Sequence, residues 1–227
     1  MEPNPRIQIL EFLTDDTITQ IKAKGNNNLA VTKNGKAYYW PMQGPSGEYI
    51  PQPVELSLPP KIQIATASCG FNFAVLVAKN GLVFSFGKDS AVGQLGHGDL
   101  QGREVPSLVE GLKHERVSSV SCGYKHVICR TTLGKVYTWG WGERGQLGHG
   151  VLKNQLVPKL VETLYPESKE KVLMIQAGYK HSIVLLETKK IMWWGSNSSI
   201  NNQSLPIECD LYYKVKSYFY LIKVQDS

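Results

Sequence analysis

Four cysteines in 227 residues, with no C-x-x-C pair among them, argue against a zinc site or a disulfide framework as the source of stability. No apolar run approaches the roughly 20 residues that a membrane helix needs. The longest candidate near the end, Tyr218 to Ile222, sits between Lys216 and Lys223. The first residues do not read as a signal peptide, because Met1 to Pro5 is polar and Ile7 to Leu13 is interrupted by Gln8 and Glu11. Basic residues exceed acidic ones by 25 to 19, a net charge of +6, but no block of Lys and Arg forms a basic arm. Scattered charge of this size suits acidic protein partners, tubulin tails among them, and argues against nucleic acid. With 42% hydrophobic and 19% charged residues the chain is globular. The expectation is a soluble intracellular protein of the cytoplasm, cytoskeleton or cilium, with the nucleus also compatible.

What the chain has in abundance is internal repetition, the mark of propellers and solenoids. Prolines at Pro5, Pro53, Pro106, Pro158 and Pro206 lie 48, 53, 52 and 48 residues apart. A glycine follows each of the first four, at Gly25, Gly70, Gly123 and Gly178. An aromatic residue then follows after 15 or 16 positions, at Trp40, Phe86, Trp139 and Trp194. Three landmarks held in phase over four periods define a repeat. Inside it the hydrophobic period is two. Ala74 to Val77 leads through Lys79-Asn80-Gly81 into Leu82 to Phe86, a strand, a tight turn and a returning strand. Asn-Gly at such a turn predicts positive φ at both central residues, and Lys189-Lys190 in the fourth repeat predicts a looser turn. A further strand precedes each glycine, as in Val117 to Val120. Short strands without a helical stripe, in units of this length, describe four-stranded propeller blades.

Gly93-Gln94-Leu95-Gly96-His97-Gly98 recurs unchanged at Gly145 to Gly150, 52 residues later. Together with the glycine-x-x-His of Gly123 to His126, the Leu133-Gly134 hairpin and the Trp139-Gly140 pair, this order resembles the regulator of chromosome condensation repeat. The second repeat keeps most of the pattern with Phe73 in the histidine position; the first and fourth are degenerate. The resemblance spans residues 5–205 and implies an all-β partial propeller of four blades plus an incomplete fifth, a segment of a seven-bladed ring. Counted from proline to proline, a single repeat domain over 1–227 holds blades at about 5–52, 53–105, 106–157 and 158–205, with 206–227 starting a fifth. Twenty residues beyond Pro206 lies Asp226, so the chain stops where the next blade glycine is due. Four blades do not close such a ring, and the terminal blades are expected to contact another chain.

Repetition also bears on the chemistry. His97 and His149, like His126 and His181, occupy equivalent positions on different blades, which reads as structure: a bond to a neighbouring backbone carbonyl, or packing between blades. His114 stands apart in a loop. No Ser/His/Asp set, H-E-x-x-H or paired-carboxylate motif stands out, so no catalytic, cofactor or metal residue is assigned. The glycine-rich loop Gly93 to Gly98 leads to Asp99, Gln101 and Pro106 without the helix or lysine that a phosphate loop requires. The aromatic slot reads as inter-blade packing, whereas Trp141 and Trp193 fall outside it and are expected to be partly exposed. Cys69 and Cys122 share a slot with Ala177, which asks for a small buried side chain.

One set of residues is left for function. Directly after the blade glycines stand Asn26-Asn27-Asn28, Phe71-Asn72, Tyr124-Lys125 and Tyr179-Lys180. In the founding member of the family that the repeat resembles, this turn faces the small GTPase Ran, and acidic residues there serve nucleotide exchange. This chain carries no acid at those positions and no insertion matching the family's projecting β-wedge. Aromatics beside Asn and Lys suit a protein-binding face instead. The candidate partner-binding residues are Phe71, Asn72, Tyr124, Lys125, Tyr179 and Lys180. Propellers of the type also occur in ubiquitin ligases, signalling kinases and ciliary proteins. The expected role is a non-enzymatic scaffold that binds other protein chains, cytoskeletal ones included. Nucleotide exchange on a small GTPase of the Ran type and chromatin association are the alternatives.

Overall fold

The computed structural model describes residues 16–41, 53–164, 170–197 and 200–209. Their strands form four antiparallel sheets of four strands, each a meander in chain order. The first holds β1 (Ile18–Lys24), β2 (Asn27–Thr32), β3 (Ala37–Pro41) and β4 (Val54–Glu55). The second holds β5 (Ile64–Cys69), β6 (Phe73–Ala78), β7 (Val83–Gly87) and β8 (Arg103–Leu108). The third comprises β9 (Val117–Cys122), β10 (His126–Thr131), β11 (Val136–Gly140) and β12 (Gln155–Leu160). The fourth comprises β13 (Val172–Ala177), β14 (His181–Leu186), β15 (Ile191–Asn197) and β16 (Ile200–Glu208). First strands pack on first strands, β1 on β5, β5 on β9 and β9 on β13, so these line a common axis and the fourth strands lie at the rim.

The sheets are offset from the proline-to-proline intervals. Pro106, Pro158 and Pro206 lie within β8, β12 and β16, each the outer strand that completes the preceding sheet. An outer strand tolerates proline because its unpaired side does not need the missing N–H. Pro206 to Glu208 therefore close the fourth sheet. Pro5 and residues 210–227, Tyr218 to Val224 included, lie outside the described residues.

Burial explains why the inner strands read as unbroken apolar runs. All six residues of β6 are buried. Successive side chains of a strand point to opposite faces, and here each face meets a different sheet. Phe73, Val75 and Val77 share a core with Val127 and Cys129 of the third sheet. Ala74, Leu76 and Ala78 share another with Leu29 and Val31 of the first. A third core joins Ile128 and Val136 to Val172, Val184 and Trp194. Polar stitches repeat between sheets as well: Ser68 Oγ accepts from the Cys122 N–H at 3.0 Å, and Ser121 Oγ accepts from the Ala177 N–H at 2.9 Å. Cys69, Cys122 and Ala177 are all buried in this seam. The four cysteines are free thiols, and burial pushes those of Cys69 and Cys122 up to about 12.

The hairpin turns differ from expectation. Gly81 has φ 90°, and Asn80 is not in the left-handed region. Gly81 N donates to Ala78 O and Ala78 N to Leu82 O, each at 2.8 Å. This is a three-residue loop in which a type I turn is followed by one left-handed residue, so only the glycine needs positive φ. Nor is the fourth turn looser. Lys189 takes φ 67°, and it closes the same loop, with Lys189 N donating to Leu186 O and Leu186 N to Lys190 O at 2.9 Å. The strain of an L-residue in that conformation replaces the missing glycine.

Candidate protein-interaction face

The turns that join first to second strands come together on one face. Their backbones are linked from sheet to sheet, with Phe71 N–H donating to Tyr124 O at 2.9 Å and Tyr124 N–H to Tyr179 O at 3.2 Å. This row of turns sets the rings side by side. Phe71 and Tyr124 lie 4.8 Å apart between centroids, tilted by 39°, and Tyr124 stacks on Tyr179 at 4.4 Å and 24°. Trp141, just beyond β11, stands edge-on to Tyr124 at 6.4 Å. Its backbone N–H donates to Lys125 O at 2.8 Å, which ties this second loop to the first.

Two ammonium groups lie over these rings. Lys125 Nζ is 5.8 Å from the Tyr124 ring, and Lys180 Nζ is 5.6 Å from Tyr179 and 5.8 Å from Trp141. Such contacts are worth about 0.5–1 kcal/mol at exposed sites. Tyr179 is 54% and Phe71 36% exposed, so the row presents aromatic surface that no core uses. The carboxylates nearby are largely committed. Asp89 lies 3.9 Å from Lys125, and Glu143 accepts from the Trp141 indole N–H at 3.2 Å. Lys180 pairs with no carboxylate among the described residues. Of the six residues singled out from sequence, five form this cluster. Asn72 takes a left-handed conformation, φ 61°, and lines a neighbouring cleft of about 300 Å³ between the first two sheets. Sequence reasoning missed Trp141, whose departure from the repeat pattern was the available signal.

His97, His149 and His126 each meet a hydroxyl rather than a backbone carbonyl, and His126 packs between two sheets as the repeat suggested. Ser85 Oγ donates to Leu95 O at 2.6 Å and pairs with His97 Nε2 at 2.9 Å. In the next sheet Thr138 Oγ1 donates to Leu147 O at 2.6 Å and pairs with His149 Nε2 at 2.9 Å. The partner is a hydroxyl whose own proton is already placed, so each ring carries its proton on Nε2. His126 follows the same logic between sheets. Its Nε2 meets Ser182 Oγ at 3.1 Å, and Ser182 donates to Gln146 O at 2.9 Å. His126 Nδ1 is buried without a hydrogen-bond partner, which suits the neutral ring only. Burial pushes His126 down to about 3 and His149 to about 4.

The repeated glycine-rich loop locks each sheet to the next. Trp139 Nε1 donates to Gln94 O at 3.0 Å and Trp194 Nε1 to Gln146 O at 2.8 Å. A Cβ on Gly96 or Gly148 would lie 2.8 Å from the same indole nitrogens, so glycine is required there. Trp40, in the same repeat slot, is only half-buried; no described sheet precedes it. Two residues not singled out from sequence add long-range ties. Buried Asn27 donates to Gly70 O at 2.8 Å and accepts from the Tyr39 hydroxyl at 2.7 Å. Lys24 Nζ reaches from the first sheet to Cys122 O of the third at 2.6 Å, and burial lowers its pKa.

Four-stranded meanders stacked around an axis, locked by a Gly-Gln-Leu-Gly-His-Gly loop against the next sheet's tryptophan, define blades of a β-propeller of the regulator of chromosome condensation type. The chain carries repeats of that type: the Regulator of chromosome condensation (RCC1) repeat matches residues 80–130 and 134–185, and a second form of the repeat matches residues 117–146. It is similar to the ultraviolet-B receptor UVR8 of Arabidopsis thaliana, 28% identical over 80% of this chain and 42% of the relative. It is also similar to the mitochondrial RCC1 domain-containing protein RUG3 of the same plant, 31% identical over 80% of this chain and 43% of the relative. The chain thus spans less than half the length of these curated relatives. In fold it matches human WBSCR16 with a TM-score of 0.75 at 20% identity, covering 87% of this chain and 54% of that one. It matches yeast RCC1 (Prp20), solved bound to Kap60, with a TM-score of 0.73 at 19% identity, covering 91% and 53%. Among the described residues no helix is long and apolar enough to cross a membrane.

Proposed function

We propose that this chain is a protein-binding scaffold that docks a partner on the face formed by Phe71, Tyr124, Lys125, Tyr179 and Lys180. The observation that carries the reading is the aromatic row, continuous across three sheets, exposed at Phe71 and Tyr179, and held by backbone hydrogen bonds that do not depend on the rings. Rings fixed in advance lose little entropy on binding, and aromatic anchors dominate interface energetics. Protein binding is also what the yeast relative does in its complex with Kap60. The second surface in this reading is the outward side of the fourth sheet, where Met174 is 61% and Leu173 43% exposed; another chain or further blades would cover it.

The test is recovery of partners by the tagged full chain from cells, compared with Tyr124→Ala/Tyr179→Ala. The double variant should lose the recovered partner at unchanged thermal stability. Equal recovery would remove the face from the account. Nucleotide exchange, the alternative, is checked with the same proteins by nucleotide release from a Ran-type GTPase; stimulated release would replace the scaffold reading.

A further inference from the structure

The row of rings does not end at Phe71. Its next residue, Asn72, lines the cleft between the first and second sheets, whose walls include Asn27, Tyr39, Phe86, Lys88 and Arg103. Asn27 and Tyr39 are bonded to each other, and Tyr39 stands edge-on to Phe86 at 5.2 Å. The floor is therefore aromatic, while the cleft's lining also carries two cations, Lys88 and Arg103, and one carboxylate, Glu104. Arg103 is engaged by Asp99 at 2.6 Å. Lys88 and Lys180 pair with no described carboxylate, and Lys125 has Asp89 only at 3.9 Å. The face thus combines an aromatic-floored, polar-walled cleft at one end with three ammonium groups, Lys88, Lys125 and Lys180, that outnumber the nearby carboxylates Asp89 and Glu104.

We infer that the partner presents an acidic segment with an aromatic anchor. The anchor enters the Tyr39–Phe86 cleft, and the carboxylates lie against Lys88, Lys125 and Lys180. The inference rests on the scaffold reading above and narrows it to a partner chemistry. Charge complementarity argues for the acidic side. The stacking geometry argues against a single-stranded nucleic acid on the same cations: the Tyr124 ring is packed by both Tyr179 and Phe71, so it offers no free ring face to a base.

The test uses the purified full chain and three labelled probes: a short peptide of Glu and Gly with one central Phe, the same peptide with Lys for Glu, and an oligo(dT). Anisotropy should give binding of the acidic probe alone, weakened by added salt. Lys125→Gln/Lys180→Gln should weaken it by about tenfold, as expected for loss of two charge contacts; Phe86→Ala, or Tyr39→Ala if the former does not fold, should weaken it as much. Binding of the Lys probe or of oligo(dT) as tight as that of the acidic probe would overturn the inference. So would an acidic probe indifferent to the lysine substitutions. If the acidic probe fails while Tyr124→Ala/Tyr179→Ala still abolishes partner recovery, the acidic chemistry falls and the scaffold reading stands.

Discussion

Strands β6 and β14 hold the same place in the second and fourth sheets, yet their environments differ. Every residue of β6 is buried, whereas in β14 Ser182, Val184 and Leu186 are buried and His181, Ile183 and Leu185 are only half-buried. The buried set of β14 faces the third sheet. The same meander is thus a core element where described sheets flank it on both sides and a one-sided one where a single described sheet does. A blade in this fold is stabilised by its neighbours more than by itself, the behaviour of a quasi-one-dimensional repeat.

The sharpest way to break that comparison is to truncate one leucine in each strand. Leu76→Ala removes a fully buried side chain between two sheets and should cost about 2–5 kcal/mol, while Leu185→Ala should cost less than half of that range. Urea unfolding of both variants decides it; equal costs would mean that the fourth sheet is as enclosed as the second. A second contrast concerns the aromatic slot. Trp139→Phe installs the residue that the second sheet carries at Phe86, and it leaves Gln94 O without its indole donor. The expected loss is about 1–3 kcal/mol, read as a lower urea midpoint at unchanged slope.

The seams between sheets also differ in their response to acid. At the seam of the second and third sheets the third position after the blade glycine is Phe73, packed with Val127. At the next seam it is His126, bonded to Ser182. His126 is neutral in the fold, pushed down to about 3, whereas unfolded histidine titrates near 6.5. Below about pH 6.5 the unfolded chain binds the proton that the folded chain refuses, so stability is full above that pH and falls toward pH 3. His126→Phe/Ser182→Val should flatten this slope in melting temperatures measured between neutral and mildly acidic pH. An unchanged slope would place the acid sensitivity elsewhere, with His149 the next candidate.

The smallest effect is expected at the turns. Lys189→Gly should stabilise by up to about 1 kcal/mol, because it relieves a left-handed L-residue. Gly81→Lys should destabilise, since a Cβ there would lie 2.6 Å from Arg116 Cγ and 2.9 Å from its Cα. Thermal melts of the two variants should move in opposite directions.

The repeat was legible because its landmarks are requirements of the fold: a glycine under a ring, a proline in an outer strand, an aromatic on the preceding sheet's loop. The strand-turn-strand signal of residues 73–87 followed from the same regularity. What sequence could not supply were distances across the axis. The bond from Lys24 to Cys122 joins residues of non-adjacent sheets, and no local pattern encodes it. Trp141 escaped for the opposite reason: its neighbour in space, Tyr124, is reached through the return of β10 and β11, which the repeat phase alone does not display. The turn type was misjudged because Asn-Gly serves both two-residue and three-residue loops, and only the φ of Asn80 separates them.

The central claim is that the Phe71–Tyr124–Tyr179 face is where a partner docks. The direct measurement is photo-crosslinking from a benzoylphenylalanine placed at Tyr179 and, separately, at Leu133, which is 63% exposed in a hairpin at the other end of its sheet. The account predicts a discrete protein adduct from position 179 and none from position 133. Adducts from 133 alone, or the same adduct from both, would contradict it.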